Sequence, residues 1–304
     1  MLRSLLIRMS ESKKLEHFVT STGPTRRMAQ RFVPGASLED GLVAAHEVNR
    51  IGHLVSLDLL GENVVDAAGA NRAAASYMGM FDRIAKEKLD ANISLKLTQL
   101  GLDLDANLCE QLLNEIVARA GTFQNFVRVD MEGSPYTQRT IDMVKRVRSQ
   151  GGSVGTVMQA YLYRTEQDVR DLIAAGCRIR LCKGAYKEPP EIAFPKKVEV
   201  DNNYVKLMKI MLPSGVYHGI ATHDPAMIAA TKKFAAQQGI GADKFEFQML
   251  YGIRTDLQRS LLKEGYRVRV YIPFGSDWFP YFMRRLAERP ANLMFFLRSV
   301  FSRS

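Results

Sequence analysis

The chain has few cysteines, one tryptophan and no long apolar run. Its 304 residues include three cysteines, an odd number without any C-x-x-C pair, which indicates reduced thiols in a reducing compartment. No apolar run is long enough to cross a bilayer. The opening MLRSLLIRM is interrupted by Arg8 and has no small-residue cleavage site after it, so it lacks the pattern of a signal peptide. We therefore expect a cytoplasmic protein.

Several motifs of well-defined chemistry are also missing. There is no P-loop, no G-x-G-x-x-G after a β-rich run and no G-x-S-x-G. His218 and His223 are an odd number of residues apart in one predicted strand, so they should point to opposite faces. The other histidines, which have no cysteine or carboxylate partner at ligand spacing, are His17, His46 and His53. We predict no metal site.

The charge balance is basic, with a formal net charge of +10. Such a charge fits nucleic acid, an anionic membrane surface or an anionic ligand. Nucleic-acid binding requires clustered cations or cations interleaved with aromatic residues. The Lys and Arg residues are instead dispersed, apart from pairs such as Arg284-Arg285. We therefore expect no nucleic-acid partner, whereas a peripheral contact with the inner face of the cell membrane stays open.

Eight short β-rich runs alternate with amphipathic helical patterns, several of which end in glycine. This alternation predicts a parallel α/β sheet, and eight repeats favour a closed (β/α)8 TIM barrel over a doubly wound sheet. We assign residues 1–45 to an N-terminal helical arm and residues 46–304 to the barrel. The predicted strands are LVSLDL (54–59), ISLKL (93–97), FVRVDM (126–131), SVGTVMQ (153–159), RIRLCK (178–183), YHGIAT (217–222), FEFQML (245–250) and RVRVYIPFG (267–275).

Polar residues stand near the carboxyl ends of these runs, where barrels of this kind hold their active sites. They are Lys96, Asp130, Gln159, Arg180, Lys183, Thr222, His223, Gln248 and Tyr271. Together they predict a mouth lined by cations, amides and a single carboxylate, suited to a ligand that carries phosphate or carboxylate. A Schiff-base lyase that uses Lys96 or Lys183 is an alternative, because aldolases of this fold keep their lysines at strand ends.

A helical segment near the C-terminus adds two more cations. Tyr281, Arg284, Arg285 and Glu288 are three or four residues apart and share one helix face. Adjacent guanidiniums beside an aromatic ring suit the capture of a small carboxylate, because arginine binds carboxylates with a rigid fork of donors. An exposed pair between Arg284 and Glu288 on a solvated face is the plainer interpretation.

Seven segments, in order, resemble the proline dehydrogenase family in its short monofunctional bacterial form. They are SLKLTQLG, RVDMEGS, RIRLCKGAY, ATHDP, FEFQMLYGIR, RVYIPFG and FMRRLAERPAN. The resemblance implies a distorted barrel whose last helix lies over the mouth. It also implies FAD-dependent oxidation of L-proline to Δ1-pyrroline-5-carboxylate, with hydride transfer from C5 to flavin N5 and electrons passed to a quinone.

The resemblance further implies a role for each site residue. Asp130 and Arg180 are the expected catalytic residues, with Arg180 near flavin N5 and Asp130 holding the site in register. The carboxylate of proline is expected to bind Lys96, Arg284 and Arg285, and these three cations should help its nitrogen lose a proton. Tyr271 and Tyr281 complete the substrate site. The expected FAD-binding residues are Met131, Gln159, Arg180, Lys183, Gly184, Ala185, Thr222 and His223. The segment KEPPEIAFPKKVEVDNN is expected to form a loop over the cofactor.

Overall fold

The computed structural model describes residues 28–288, with the side chains of residues 28–285. Eight parallel strands close into a barrel in chain order, and the last strand pairs with the first from Leu54↔Arg269 to Leu59↔Phe274. The strands are β1 (Leu54–Leu59), β2 (Ala91–Leu95), β3 (Val127–Val129), β4 (Val154–Gln159), β5 (Arg178–Cys182), β6 (His218–Ala221), β7 (Phe245–Leu250) and β8 (Val268–Phe274). The predicted barrel and its eight strands are confirmed.

A helix follows each strand, and one more helix precedes the first strand. They are α1 (Leu38–Arg50), α2 (Ala67–Lys86), α3 (Ala106–Thr122), α4 (Ser134–Ser149), α5 (Thr165–Ala174), α6 (Lys197–Met211), α7 (Pro225–Gln237), α8 (Thr255–Lys263) and α9 (Trp278–Glu288). Among the described residues, no helix combines the length and the apolar character needed to cross a membrane.

Local signals in the sequence set where these helices begin and end. Asp66 and Asp105 cap α2 and α3 by accepting hydrogen bonds from backbone N–H groups of the first turn. Two of the predicted glycine stops are left-handed residues just past a helix, Gly176 after α5 (φ 65°) and Gly265 after α8 (φ 85°). Glycine adopts this conformation without the steric cost of a Cβ, so each helix ends before the next strand.

The strands bury apolar side chains against the helices and polar side chains inside the barrel. Val55 and Leu57 of β1 are fully buried in the main core, while Ser56 between them faces the barrel interior. Its hydroxyl lies 3.3 Å from that of Ser94 on β2 and 3.5 Å from Nη2 of Arg180 on β5. Because side chains alternate along a strand, this polar interior is continuous with the mouth above it.

A second cluster of buried residues joins the N-terminal segment to the last helix. Met28 and Phe32 pack with Phe279, Tyr281 and Phe282 of α9, and the rings of Phe32 and Phe282 are 6.2 Å apart. Helix α1 packs on β1 and β8 and runs across residue 45, where we divided the arm from the barrel. Residues 1–27 of that arm lie outside the described part of the chain, and the division stays a prediction.

Candidate active site

Asp130, Arg180 and Tyr271 meet at the carboxyl end of the barrel, as expected. Nη1 of Arg180 donates to Oδ1 of Asp130 at 2.7 Å, and the hydroxyl of Tyr271 donates to Oδ2 at 2.8 Å. The guanidinium carbon of Arg180 lies 5.1 Å from the centre of the Tyr271 ring. Both oxygens of Asp130 are therefore engaged, and the carboxylate holds an arginine from β5 beside a tyrosine from β8.

The side chain of Arg180 crosses the barrel interior below this carboxylate. Its Nη2 donates to the hydroxyl of Ser94 at 3.1 Å, and its Nε donates to Oε1 of Gln248 on β7. The side chain is 9% exposed. One arginine thus contacts side chains from five other parts of the barrel wall, which fixes its position far more tightly than a single ion pair would.

Lys96 and Arg284 converge on one carboxylate. Nζ of Lys96 lies 3.8 Å from Oε1 of Glu62, and Nη2 of Arg284 lies 3.7 Å from the same atom. Glu62 follows β1, so this contact connects helix α9 to the rim of the barrel. The geometry places Arg284 at the mouth, where the resemblance implied it.

Lys96 is buried near three carboxylates. Its Nζ lies 3.8 Å from Oδ1 of Asp58, which is itself 1% exposed. Burial by itself lowers the pKa of Lys96, but Asp58, Asp130 and Glu62 outweigh burial and raise the pKa above its ordinary value. A Schiff-base lysine needs a neutral amine, so this environment opposes the lyase alternative for Lys96.

The expectation of a single carboxylate at the mouth is wrong. Asp58, Glu62 and Glu132 join Asp130 there, and burial raises the pKa of both Asp58 and Glu132. Glu132 accepts a hydrogen bond from the hydroxyl of Thr98 at 2.8 Å. The predicted polar strand ends include none from the first strand, although Asp58 is the last but one residue of LVSLDL. Buried cations require counter-charges, and that requirement could have located these carboxylates.

Gln159 and Met131 are buried beside the end of β3. Gln159 is 2% exposed, and its Nε2 donates to the backbone oxygen of Glu132 at 3.0 Å. The hydroxyl of Tyr161 donates to its Oε1 at 3.2 Å. Met131, 7% exposed, belongs to the main core. Gln159 therefore has its amide fixed at both ends, and Met131 contributes an apolar side chain to the core near the end of β3.

Lys183, Gly184 and Ala185 continue β5 beyond the sheet. Gly184 has φ 120°, and a Cβ on it would lie 2.0 Å from the Tyr161 ring, so glycine is required there. The ammonium of Lys183 is held by Asp224, at 2.7 Å, and by Asp201. Both carboxylates engage this ammonium in ion pairs, which opposes the lyase alternative for Lys183 as well.

Thr222 and His223 follow β6 and precede α7. The hydroxyl of Thr222 accepts the N–H of Asp224 at 3.0 Å, and Nε2 of His223 accepts the N–H of Leu250 at 2.9 Å. The comparison of His218 with His223 along one strand was wrong, because β6 ends at Ala221. Within residues 28–288, no group of three or more metal-ligating side chains comes together.

Tyr281 and Arg285 stack on each other along α9. The guanidinium carbon of Arg285 lies 5.1 Å from the centre of the Tyr281 ring, and Tyr281 is 7% exposed. This stacking fixes Arg285 on the same side of the helix as the ring, one position after Arg284. The plainer interpretation of Arg284, an exposed pair with Glu288, involves a side chain outside the described residues.

The segment after β5 is a loop only in its first part, because α6 begins at Lys197. Glu188 ties this loop to α4, since it accepts hydrogen bonds from the N–H of Ser134 at 2.8 Å and from its hydroxyl at 2.6 Å. A bridge between Leu162 and Ala193 fixes the loop to the turn after β4. The expectation of one long loop over residues 187–203 is corrected accordingly.

Comparison with known proteins places this site in context. The family model described as proline dehydrogenase matches residues 42–298. Proline dehydrogenase 1 of Bacillus subtilis (strain 168) is 42% identical over 300 residues, which cover 99% of each chain. Proline dehydrogenase of Deinococcus radiodurans is 40% identical over 278 residues, 90% of each chain.

A solved structure shares the fold. It is proline utilization A (PutA) from Bdellovibrio bacteriovorus inactivated by N-propargylglycine, with a TM-score of 0.82 at 24% identity. The match covers 92% of the present chain and 34% of that chain. At this identity the likeness concerns the barrel alone.

Proposed function

Because the chain belongs to the proline dehydrogenase family and oxidises proline to Δ1-pyrroline-5-carboxylate, we propose that it does so with FAD bound at the mouth of the barrel and with a quinone as electron acceptor. The family is generally flavin-dependent. The monofunctional relatives match the chain over nearly their full length, which agrees with a single catalytic barrel.

The observation that carries the proposal is the convergence of Lys96 and Arg284 on Glu62. Both cations lie 3.7–3.8 Å from one carboxylate oxygen, which is longer than a charge-assisted hydrogen bond. The carboxylate of proline can therefore bind these cations more closely than Glu62 does. Arg285 supplies the third cation, and the Tyr281 ring beside it can pack on the proline ring.

The residues proposed to hold FAD have suitable chemistry. The proposed set is Met131, Gln159, Arg180, Lys183, Gly184, Ala185, Thr222 and His223. Gly184 lets the backbone turn after β5 where a side chain would clash. The charge of Lys183 is balanced by Asp201 and Asp224, so the backbone after β5, and not the ammonium of Lys183, is proposed to face the phosphate groups. Thr222 accepts a hydrogen bond from Asp224, and its hydroxyl can still donate to a ligand.

When bound, FAD would accept the hydride that leaves C5 of proline. The protein's own part is to orient the substrate and to exclude water from a site built around a desolvated ion pair. Asp130 orients Arg180 and Tyr271 through its two oxygens. Arg180 is thereby presented at the mouth with its guanidinium plane fixed.

The cations proposed to bind proline have carboxylate neighbours in the mouth. The resemblance implies that Lys96, Arg284 and Arg285, three cations for one substrate carboxylate, help the proline nitrogen lose its proton. Asp58, Asp130 and Glu62 raise the pKa of Lys96, and Oε1 of Glu62 lies 3.7 Å from Nη2 of Arg284. These carboxylates offset part of the positive charge, although cations that contact the substrate still favour proton loss.

The proposed quinone acceptor and a peripheral membrane contact rest on the family and on the net charge of +10. A basic protein is attracted to anionic lipid, and that attraction weakens with salt. Sedimentation with anionic and with neutral vesicles, at low and at high salt, tests the contact. Binding to neither kind of vesicle, combined with normal reduction of a water-soluble quinone, would remove the membrane from the proposal.

The proposal as a whole is tested by the visible absorption spectrum of the purified protein, before and after L-proline is added without oxygen. Flavin bands that bleach with proline are the expected result. A colourless protein that cannot be reconstituted with FAD would overturn the cofactor assignment. Bands that proline does not bleach would overturn the substrate assignment. Borohydride in the presence of a carbonyl substrate should trap no adduct on Lys96 or Lys183.

A further inference from the structure

Gln248 lies inside the barrel and bonds at both ends of its amide. The residue is on β7 and is 5% exposed. Its Oε1 accepts the Nε–H of Arg180, and its Nε2 donates to Oε1 of Glu246 at 2.5 Å. Glu246, 3% exposed, accepts Nε–H of Arg269 at 2.6 Å. A chain of buried polar contacts therefore runs from the lower barrel up to Arg180.

Gly219 makes room for this amide. It stands directly opposite Arg180 in the pairing of β5 with β6. A Cβ on Gly219 would lie 2.3 Å from Nε2 and 2.6 Å from the amide carbon of Gln248. Since Gly219 does not have a positive φ, the conformation of its backbone does not demand glycine. The missing side chain serves the close approach of Gln248.

The contact at Nε decides how the guanidinium of Arg180 is turned. Arginine has a long side chain with a planar fork of five donors, so a partner at Nε fixes the plane and the direction of the outer nitrogens. With Nε held by Gln248, Nη1 faces Asp130 at 2.7 Å and the guanidinium carbon lies 5.1 Å from the centre of the Tyr271 ring. Without Gln248, the contacts with Asp130, Ser94, Ser56 and Tyr271 remain, but none of them holds Nε.

We propose that Gln248, in the space left by Gly219, is a positioning residue for proline oxidation, because it sets the orientation of the Arg180 guanidinium toward the bound flavin. The inference rests on the proposed function, which places Arg180 beside the flavin. In this role Gln248 acts through its contact with Arg180 and not as a catalytic residue.

The test compares Gln248→Met with Gln258→Met in the holoenzyme. Gln258 is also 5% exposed, and its amide donates to the backbone oxygens of Leu250 and Ile253. Both substitutions remove a buried amide at similar volume, but only the first removes a partner of Arg180. We expect kcat to fall roughly tenfold or more in Gln248→Met with little change in KM, whereas Gln258→Met keeps both.

The reduction potential of the bound flavin provides a second test of the role of Gln248. A cation held at the reacting edge of the flavin stabilises the reduced, more negative form. Gln248→Met should therefore shift the potential to a more negative value, and Gln258→Met should leave it unchanged. Equal shifts in both variants would indicate a general loss of structure and would overturn the positioning role.

A third measurement, hydrogen exchange at Nε of Arg180, does not depend on enzyme turnover. In protein labelled with ¹⁵N-arginine, the Nε–H signal of Arg180, assigned with Arg180→Lys, should be protected from exchange with water. It should exchange faster in Gln248→Met and in Gly219→Ala, but not in Gln258→Met. If Gln248→Met lost this protection and kept wild-type kcat and potential, the inference would be overturned.

A double variant and the wild-type spectrum complete the design. Gly219→Ala and Gln248→Met act on the same amide, so together they should cost kcat no more than the worse one alone. Additive losses would contradict a shared mechanism. If proline failed to bleach the wild-type flavin, the proposed function would fail and this role with it. The arginine signals would then still report whether the contact exists.

Discussion

Arg180 and Asp130 form a desolvated ion pair across the mouth, with Nη1 and Oδ1 2.7 Å apart and the two residues 50 positions apart in the chain. Their side chains are 9% and 12% exposed. Removal of one partner from such a pair leaves an uncompensated charge, which is the costly event in a buried site. The stability of the barrel and the geometry of the site are therefore coupled at this contact.

The first prediction concerns Asp130→Ala. Loss of the carboxylate leaves the buried Arg180 and Tyr271 without their shared hydrogen-bond acceptor. We therefore expect lower turnover, weaker flavin retention and a loss of about 3 kcal/mol in the free energy of unfolding. Asp103→Ala is the matched control, because Asp103 also accepts from an arginine at 2.9 Å and a tyrosine at 2.7 Å but is 45% exposed. It should cost less than about 1 kcal/mol. Urea unfolding and steady-state kinetics measure both, and equal effects would refute the argument.

The second prediction concerns Arg285→Met. One charge-assisted contact to the proline carboxylate is lost, so KM should rise and kcat/KM should fall by about two orders of magnitude. The flavin spectrum should be nearly unchanged. Arg146→Met, which breaks an exposed pair with Glu110 at 2.7 Å, serves as the control. An unchanged KM in Arg285→Met would remove this residue from the substrate site.

The third prediction concerns Tyr281. If its ring packs on proline, Tyr281→Ser should narrow the preference for proline over hydroxyproline, whose extra hydroxyl needs space. Tyr281→Phe keeps the ring that stacks on Arg285 and should keep the ratio. The measurement is kcat/KM for both substrates with each variant. The same ratio in Tyr281→Ser and wild type would contradict the packing argument.

The fourth prediction concerns Gly184→Ala. The new Cβ would lie 2.0 Å from the Tyr161 ring, so the loop after β5 must shift and flavin retention should fall. Gly151→Ala is the control, because Gly151 also has a positive φ, 90°, but its Cβ would meet nothing within 4 Å. The control should cost about 1 kcal/mol of stability and keep the flavin. The ratio of flavin to protein absorbance decides between the two outcomes.

The fifth prediction concerns pH and His218. Its Nδ1 accepts the N–H of Ile179 at 3.0 Å, and burial, with Arg128 nearby, lowers its pKa from 6.5 to about 3. Below pH 6.5 His218 binds a proton in the unfolded chain but not in the folded protein. The free energy of unfolding should thus fall by about 1.4 kcal/mol per pH unit as pH drops from there, or about 2 kcal/mol by pH 5.

Urea unfolding at a series of pH values measures that slope. His218→Gln should be less stable than wild type at pH 7 but should lose less stability on acidification. His46→Gln, at a histidine whose side chain is 52% exposed, separates the effect of the buried ring from that of removing an imidazole. If the two variants and the wild type gave parallel curves, His218 would not be the group responsible.

The sequence predicts structure best where the pattern that specifies it is local. Strands β1 and β7 lie where the apolar runs LVSLDL and FEFQML placed them, because alternation and glycine stops act over a few residues. The strand-end residues Asp130, Arg180 and Tyr271 could be grouped because parallel strands bring their carboxyl ends to one edge. The roles of all the proposed site residues, these three included, stay predictions.

The presence of three further carboxylates at the mouth, and the contact of Gln248 with Arg180, were not predicted from the sequence. Asp58, Glu62 and Glu132 matter because buried cations from other strands stand beside them, and no local pattern states which charges will be desolvated together. Gln248 stood among the polar strand ends, but its contact with Arg180 depends on the empty space at Gly219 on the strand between them.

The sequence by itself determined the alternating strands and helices, the eightfold barrel and the family, because each depends on periodicity or on ordered motifs in the chain. Only the tertiary structure decided the charge balance of the mouth, the orientation of the Arg180 guanidinium and the position of Arg284 beside Glu62. These depend on distances between residues from different strands, over which burial strengthens charge interactions and packing selects one rotamer.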